Sequence, residues 1–288
     1  MKLQLVTSGL RTTTQDMGRP GYTHMGVPAG GALDRGAMQY ANHLVNNALA
    51  TPVLEMTFTG PRLTCLEAGK VALAGGGFNL LVNGERQAEN QAAWVCAGDE
   101  LAIKSSDNGC RSYLGVSGEW RVKRWLKSAS ALRVGSHELL PEAVWQSGDV
   151  IDTRDTSVKP WPSNLLPLRP ASNRIKVFPG PEYDWLDDSG RTQLLSKPIT
   201  VVDPSNRGGL RTDTHIQLRE DKRKSEMISS GVQPGTVQLT HAGQAIILMR
   251  DAQTIGGYPR LLQCASQSLD QLAQLKVGDQ LMLSLIGS

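Results

Sequence analysis

The chain has 288 residues and a net charge of +3, and no apolar stretch reaches the roughly 20 residues that span a bilayer. So small a charge, without a lysine or arginine run, argues against a nucleic-acid-binding protein. A hydrophobic fraction of 40% and a charged fraction of 20% are typical of a soluble globular protein with room for two domains. The opening MKLQLVTSGL alternates polar and apolar residues, which predicts a strand rather than a signal peptide and favours a cytoplasmic location.

Short apolar runs along the chain predict a mainly β protein. In chain order they are LQLV, VALAG, LLV, LAI, YLGV, IKVF, ITVV, IILM and LMLSL, separated by Gly, Asn, Asp or Pro. A Gly-Asp pair precedes three of them, in AGDELAI (97–103), SGDVID (147–152) and VGDQLML (277–283). Glycine accommodates the positive φ of a tight turn, so each pair predicts a chain reversal into a strand. The spacing favours barrels or sandwiches.

Three helices are predicted. Between Leu33 and Val45 apolar residues recur at helical spacing, with Asp34 as the N-cap and Asn46–Asn47 at the end. A second short helix is predicted in SLDQLAQL (268–275), and a third from Trp120 to Lys127.

A proline-rich segment, VKPWPSNLLPLRPASN (158–173), predicts the domain boundary, because four prolines in sixteen residues cannot supply ladder hydrogen bonds. The predicted organisation is an N-terminal β-barrel domain (1–157), a Pro-rich linker (158–173) and a C-terminal β-barrel domain (174–288). The four cysteines lie far apart and the five histidines do not cluster. We therefore expect inert thiols and no protein-borne metal site.

Three polar, glycine-bearing segments are candidates for binding or catalysis. Glycine lets the backbone approach a ligand, and arginine and amide side chains give directed hydrogen bonds to carboxylates and amides. Taken singly, each segment is also compatible with a structured turn; Asp16 and Asp34 could be caps, and His24 a loop hydrogen-bonding group. The segments are 12–34 (with Gln15, Asp16, Arg19, His24 and Asp34), 203–211 (with Asn206, Arg207 and Arg211) and 250–260 (with Asp251, Gln253, Thr254 and Tyr258).

These segments carry a family resemblance. TTTQDMGRPGYTHMGVPAGGALD (12–34), LEMTFTGPRL (54–63), SNRGGLR (205–211) and GVQPGTVQLTHAGQAIILMRDAQTIGGYPRL (231–261) resemble the bacterial family of C-type 5-oxoprolinase subunits. That family also includes KipA and the allophanate hydrolase subunit 2 segment of urea carboxylase, which is carboxyltransferase-like. The chain departs from the family pattern at 118–143, which lacks a glycine-rich stretch, and at 208–210, which lacks an aromatic residue.

The resemblance implies two cyclophilin-like β-barrel domains with a few short helices. It also implies that the chain functions as one subunit of a hetero-oligomer. The implied function is that of a subunit of an ATP-dependent 5-oxoprolinase, which opens 5-oxo-L-proline to L-glutamate, or of a related amide-hydrolysing or carboxyltransferase complex. The implied partners are a KipI/PxpB-like subunit of related fold and, in the hydrolase, a third subunit. ATP is the implied cofactor of the complex, with biotin carried by a partner as an alternative. The alternative function is a non-catalytic KipA-like regulator that binds a partner subunit inhibiting a sensor kinase.

Matching motif to motif, the resemblance also implies site residues. Asp16 or Asp34 would serve as acid or base, and Arg207 would act on the anionic substrate or a phosphorylated intermediate. The implied substrate-binding residues are Gln15, Arg19, Asn206, Arg211, Gln253, Thr254 and Tyr258.

Overall fold

The computed structural model describes residues 1–105, 108–155, 172–223 and 227–286. Its contacts group the chain into two compact units, Met1–Arg19 with Gly30–Pro170, and Pro20–Ala29 with Ala171–Ser288. Most of the predicted Pro-rich linker lies outside the described residues, so the boundaries at 157 and 174 stay a prediction. The mainly β prediction is confirmed, because three α-helices stand among many strands in the described part of the chain.

The first unit is built from two sheets. Its strands are β1 (Lys2–Thr7), β2 (Arg11–Gln15), β3 (Val53–Thr57), β4 (Arg62–Glu67), β5 (Gly69–Gly75), β6 (Asn79–Val82), β7 (Glu85–Arg86), β8 (Ala93–Val95), β9 (Glu100–Lys104), β10 (Arg111–Val116), β11 (Glu119–Trp120), β12 (Arg133–Val134), β13 (His137–Glu138) and β14 (Val150–Arg154). Seven strands form a sheet in the order β11-β14-β1-β4-β9-β6-β7, and five form a sheet in the order β2-β3-β10-β5-β8. Strands β12 and β13 form a separate hairpin.

The main core of this unit contains apolar residues of both sheets, including Leu3 and Leu63 of one and Met56 and Leu114 of the other. Period-two alternation brings these side chains to one face of each strand, where burial removes them from water. Helix α1 (Arg35–Leu44) packs Ala37, Met38 and Ala41 in a second cluster with Val53 and Tyr113. The predicted N-cap is confirmed, since the Asp34 carboxylate accepts a hydrogen bond from the Ala37 amide at 2.8 Å.

The second unit contains a closed β-barrel. Its strands are β15 (Arg174–Pro179), β16 (Ile199–Val202), β17 (Gly209–Thr212), β18 (Ser230–Gly231), β19 (Thr236–Leu239), β20 (Ala245–Leu248), β21 (Ile255–Gly256), β22 (Arg260–Cys264) and β23 (Gln280–Leu285). The barrel order is β15-β22-β19-β20-β17-β16-β23, and the parallel pairing of β15 with β23 closes it. Closure satisfies the backbone groups that edge strands would leave unpaired. Helices α2 (Asp188–Ser196) and α3 (Ser266–Leu272) complete the unit.

The three Gly-Asp pairs form the same turn three times. Each glycine has a positive φ, at 95°, 93° and 93° for Gly98, Gly148 and Gly278. Each aspartate then accepts a hydrogen bond through its carboxylate from the amide three residues earlier, at 2.7, 2.7 and 2.9 Å for Asp99, Asp149 and Asp279. The turn is therefore local in origin, as predicted, and the strand begins at the next residue each time.

Every apolar run named from the sequence lies in or overlaps a strand, and the second predicted helix overlaps α3. The third predicted helix, Trp120–Lys127, is wrong. Trp120 pairs with Thr153 in the seven-stranded sheet, and Leu126 and Lys127 have φ values of 48° and 67°, which an α-helix cannot contain. Helix α2 was not predicted, because it buries only Gly190 and Leu194 and so shows little apolar periodicity. None of the helices in the described segments has both the length and the apolar character needed to cross a bilayer.

Three of the four cysteines, Cys65, Cys110 and Cys264, are buried, and Cys96 is exposed. Burial raises the pKa of the Cys264 thiol to about 12, so this side chain stays protonated and inert. The prediction of core thiols therefore holds for three positions.

A bidentate ion pair ties Glu182 to Arg260 at the start of β22. The Arg260 Nε and Nη2 atoms donate to the two carboxylate oxygens at 2.9 and 2.7 Å, and the Arg260 amide donates at 2.9 Å. Burial by itself raises the pKa of the Glu182 carboxyl, but the bonds from Arg260 outweigh it and hold that pKa below its usual value.

The Glu182 pair predicts a pH dependence of stability. A lowered folded-state pKa gives a stabilisation that is complete above the ordinary glutamate pKa of about 4.3 and is lost as the pH falls through the folded-state value. We expect Glu182→Gln to lower the free energy of unfolding by about 1–3 kcal/mol at pH 7 and by much less in acid. Urea unfolding at a series of pH values measures this, with the exposed Glu220→Gln as control. If the difference in the free energy of unfolding between the wild type and Glu182→Gln stays constant from neutral to acid pH, the lowered pKa assigned to Glu182 is wrong.

Candidate functional site

Asp16 lies immediately after β2, and its carboxylate is enclosed by the segment 128–130. One oxygen accepts hydrogen bonds from the Gly18 amide at 2.8 Å and from the hydroxyls of Ser128 and Ser130, each at 2.6 Å. The other accepts from the Ala129 amide at 2.8 Å. The side chain is 6% exposed. With four donors satisfied by this carboxylate, the geometry favours a structural role, and the acid–base role implied by the resemblance stays a prediction.

Gln15 and Arg19 contact the same segment. The Arg19 side chain is fully buried; its Nη2 donates to the Ser130 carbonyl at 2.6 Å, and its guanidinium lies 5.2 Å from the centre of the Trp125 ring. The side-chain nitrogen Nε2 of Gln15 donates to the Ala131 carbonyl at 3.3 Å. Three predicted site residues therefore meet one segment of 118–143, the region where the sequence departs from the family pattern.

Asp34 is part of a buried network around Tyr113. The Tyr113 hydroxyl donates to the Glu55 carboxylate at 2.9 Å and accepts from the Asp34 amide at 2.9 Å. The Leu33 amide donates to the same Glu55 oxygen at 3.0 Å. Burial, and then the charge of Glu55, raise the pKa of Tyr113 well above its usual value, so the phenol remains a neutral donor. This network supplies hydrogen-bond partners to Glu55, the carboxylate in the otherwise apolar strand β3. It also fixes the backbone of Leu33 and Asp34, which precede α1.

Arg207 in the second unit is held by Asp251. The Arg207 Nε and Nη2 atoms donate to the two carboxylate oxygens at 2.7 and 2.9 Å, with side-chain exposures of 11% for Arg207 and 6% for Asp251. Two backbone bonds run beside the pair, from the Asp251 amide to the Arg207 carbonyl at 3.0 Å and from the Met249 amide to the Gly208 carbonyl at 3.0 Å. The ion pair therefore joins the loop 203–211 to the loop 250–260.

Asn206 lies in the turn that precedes β17, and Arg211 lies within β17. The Asn206 side-chain oxygen accepts a hydrogen bond from the Gly208 amide at 2.7 Å. Asn206 is an exposed residue, and this bond does not use its side-chain NH₂ group. Arg211 donates from Nη1 to the Gln244 side chain at 3.3 Å. Asn206 is therefore one of the exposed polar residues of this loop.

Gln253 and Tyr258 are linked through Gln238, a buried residue of β19 that the sequence did not single out. The Gln253 amide nitrogen lies 3.5 Å from the Gln238 side-chain oxygen, and the Gln238 nitrogen donates to the Tyr258 carbonyl at 3.2 Å. The Tyr258 ring packs edge-on against His241 with centroids 5.3 Å apart. Thr254, half-buried, accepts a hydrogen bond at its backbone carbonyl from the Val232 amide at 3.0 Å.

An open cavity of about 560 Å³ in the second unit is lined in part by Gly257 and Pro259. Its described walls come from the segments 216–223, 239–243 and 257–259, together with Met227. Lys222, Arg223 and His241 are among the lining residues. Lys222 and Arg223 lie outside every sequence motif, and His241 lies within the motif 231–261 but was not predicted as a site residue. Only the tertiary structure shows that these three residues line the same cavity as Gly257 and Pro259.

The structure brings the predicted residues together within each unit. In the first unit, Gln15, Asp16 and Arg19 share the segment 128–131, while Asp34 belongs to the Tyr113 network. In the second unit, Arg207 is joined to the loop of Gln253, Thr254 and Tyr258, with Asn206 and Arg211 in its own loop. His24 is exposed in a 3₁₀ turn, Thr23–Met25. The catalytic and binding roles of these residues stay predictions.

Comparison with known proteins decides the family. A family model described as the carboxyltransferase domain, subdomain A and B, matches residues 25–285. The chain belongs to this carboxyltransferase-domain family. The match confirms the resemblance found in the sequence motifs, and it covers both units.

Among relatives of this carboxyltransferase-domain chain, the C-type subunit of the Escherichia coli 5-oxoprolinase is 35% identical over 287 residues, covering 96% of this chain and 88% of that protein. The urea amidolyase of Saccharomyces cerevisiae is 27% identical, covering 97% of this chain and 16% of that protein. The crystal structure of the K. lactis urea amidolyase has a TM-score of 0.89 at 25% identity, covering 99% of this chain and 19% of that one. The carboxyltransferase-domain chain thus spans less than a fifth of these yeast proteins.

Proposed function

We propose that this chain is the C-type subunit of an ATP-dependent 5-oxoprolinase complex that converts 5-oxo-L-proline to L-glutamate. The observation that supports the proposal most strongly is the 35% identity to the E. coli C-type subunit across 88% of that protein. The match to the urea amidolyase of S. cerevisiae is weaker, at 27% identity over 16% of that protein. ATP and the partner subunits, one of them KipI/PxpB-like, are parts of this proposal, as is a cytoplasmic location.

The chemistry of the substrate indicates what this chain's residues have to do. A lactam carbonyl is a poor electrophile, and ATP supplies the activation that turns its oxygen into a leaving group. In this proposal the exposed amide side chains of Asn206 and Gln253 orient the lactam by hydrogen bonds, and Arg211 supplies positive charge for the carboxylate. Arg207 acts through its pair with Asp251 by holding the two loops in register.

Reconstitution tests the proposal. The chain is copurified with the two other subunits, and glutamate release from 5-oxo-L-proline is measured with and without ATP. We expect turnover only with all components, and Gln253→Ala should lower it at least about tenfold while the complex still assembles. Gln91→Ala, an exposed glutamine of the first unit, is the matched control and should leave turnover unchanged. Turnover unaffected by Gln253→Ala would remove this residue from the site.

A second candidate is a non-catalytic KipA-like regulator that binds a partner subunit inhibiting a sensor kinase. The observation that favours it is that Asp16 and Arg207, the residues proposed for chemistry, are engaged in internal hydrogen bonds. A stable complex with no turnover on 5-oxo-L-proline or urea would support the regulator. The same experiment with a biotin-bearing partner tests carboxyl transfer, the remaining alternative.

A further inference from the structure

Gln238 is a glutamine in the buried part of the barrel strand β19. Its side chain is 1% exposed, between Val237 and Leu239, which are also buried. Glutamine is mostly an exposed residue, and burying its carboxamide is unfavourable unless the carboxamide is hydrogen-bonded. The partners of Gln238 are Tyr258 and Gln253, which both lie in the loop 250–260. The buried carboxamide is therefore joined to the loop that carries the proposed substrate-binding residues.

The chemistry of these partners fixes which end of each carboxamide faces which group. The Tyr258 carbonyl can only accept a hydrogen bond, so the Gln238 atom that faces it, at 3.2 Å, is the nitrogen. The Gln238 oxygen then faces Gln253, and an oxygen of this kind can only accept. The Gln253 atom 3.5 Å from it is therefore the nitrogen, and the Gln253 oxygen is directed away from Gln238.

The 3.5 Å contact is long for a hydrogen bond, so its effect is on orientation more than on stability. Because Gln253 is an exposed residue, the consequence is an outward-facing acceptor on the loop 250–260. Without Gln238, the two ends of the Gln253 carboxamide could exchange places by rotation about the last side-chain bond.

The backbone closes over the Gln238 carboxamide. A Cβ at Gly256 would lie 2.7 Å from the Gln238 nitrogen and 3.4 Å from its oxygen, so a glycine is needed at this position of β21. Strand β21 pairs with β18, and the Val232 amide donates to the Thr254 carbonyl at 3.0 Å. This close packing hinders rotation of the Gln238 carboxamide and ties the loop 250–260 to it.

We propose that Gln238 is a positioning residue for Gln253, and that it makes the Gln253 oxygen the acceptor of a hydrogen bond from the amide N–H of the substrate. This inference rests on the proposed function, in which Gln253 orients a lactam. It adds a residue and a direction to that contact. A site that accepts a hydrogen bond from an N–H group rejects a substrate without one, because its acceptor is then left unpaired.

The reconstituted complex tests this with two substrates, 5-oxo-L-proline and its N-methyl derivative, by measuring kcat/KM for each in the presence of ATP. We expect the wild type to prefer the N–H substrate at least about tenfold. Gln238→Met keeps a side chain of similar length without the carboxamide. It should lower kcat/KM for 5-oxo-L-proline about tenfold and bring the preference close to one.

A conservative variant and a control of similar structure accompany this measurement. Gln238→Glu in its neutral form again has one donor and one acceptor, so it should keep the preference. Gln263 of the neighbouring strand β22 donates to the Pro234 carbonyl at 2.9 Å, and a Cβ at Gly235 would lie 2.7 Å from its nitrogen. Gln263→Met should therefore lower the melting temperature about as much as Gln238→Met does and leave the preference unchanged.

A merely structural role for Gln238 would lower kcat/KM for both substrates by the same factor, and this result would overturn the proposal. Equal turnover of the two substrates by the wild type, or an equal loss of preference in Gln263→Met, would overturn it as well. Calorimetry on the same complexes separates the two proposals. A preference for N–H in Kd that depends on Gln238, without turnover, removes the proposed function alone, whereas turnover with an unchanged preference in Gln238→Met removes this inference alone.

Discussion

Asp16→Ala should lower the free energy of unfolding of the first unit by about 3–5 kcal/mol. The substitution leaves two serine hydroxyls and two backbone amides without their common acceptor inside the fold. A buried donor without a partner costs about 1–3 kcal/mol, and part of that cost is relieved by water entering the space. Urea unfolding followed by circular dichroism measures the change.

Two further variants sharpen the test of Asp16. Asp155→Ala removes an exposed aspartate of the same unit and should change the free energy of unfolding by less than about 0.5 kcal/mol. Asp16→Asn keeps an acceptor but puts an NH₂ group against existing donors, so we expect an intermediate loss. If Asp16→Ala is as stable as the wild type, the enclosed carboxylate is not structural. Turnover lost in Asp16→Asn at near-native stability would instead support the acid–base role.

In the second unit, we expect the largest coupling free energy between two side chains for the ion pair of Arg207 and Asp251. Removing either partner leaves a charge in a site where the side chains are 11% and 6% exposed, and we expect Arg207→Ala and Asp251→Ala each to cost about 3–5 kcal/mol. The double variant should cost clearly less than the sum, because the second substitution removes the charge that the first left unpaired. A double-mutant cycle in urea measures the coupling free energy.

The exposed pair Arg191–Asp184, at 3.4 Å with exposures of 36% and 90%, is the matched control and should couple by less than about 1 kcal/mol. Additive losses for Arg207 and Asp251 would show that the pair does not join the two loops energetically. Turnover in the reconstituted complex adds a second readout. Parallel losses in Arg207→Ala and Asp251→Ala indicate that Arg207 positions the loops, whereas a loss confined to Arg207→Ala indicates contact with the reacting groups.

The sequence was most informative where structure is local. An apolar run between turn residues selects a strand whatever its partner, and a Gly-Asp pair selects a turn through the φ of one residue and the carboxylate of the next. Asp34 could be read as an N-cap because the cap and the helix it starts are adjacent. The Trp120–Lys127 helix is wrong because Trp120 lies in a strand, where its ring packs 6.4 Å from that of Trp145, and because Leu126 and Lys127 have positive φ values.

The site residues were chosen by type and by resemblance, and their environments could not be predicted. Three of the four donors to Asp16 come from residues 112 to 114 positions away, and the partner of Arg207 lies 44 positions away. Lys222 and Arg223 lie far along the chain from His241, so only the packing of the fold placed the three residues around one cavity.

By itself, therefore, the sequence of this protein determined the β character, the turns, the capped helix and the family, all of which depend on neighbouring residues or on motifs that residue type alone makes recognisable. Only the tertiary structure decided the closed barrel, the partners of the buried charges and the cavity lined by Lys222, Arg223 and His241. The physical reason is range: β15 pairs with β23 across more than a hundred residues, and a buried charge takes its partner from whichever strand or loop the closed fold brings to it.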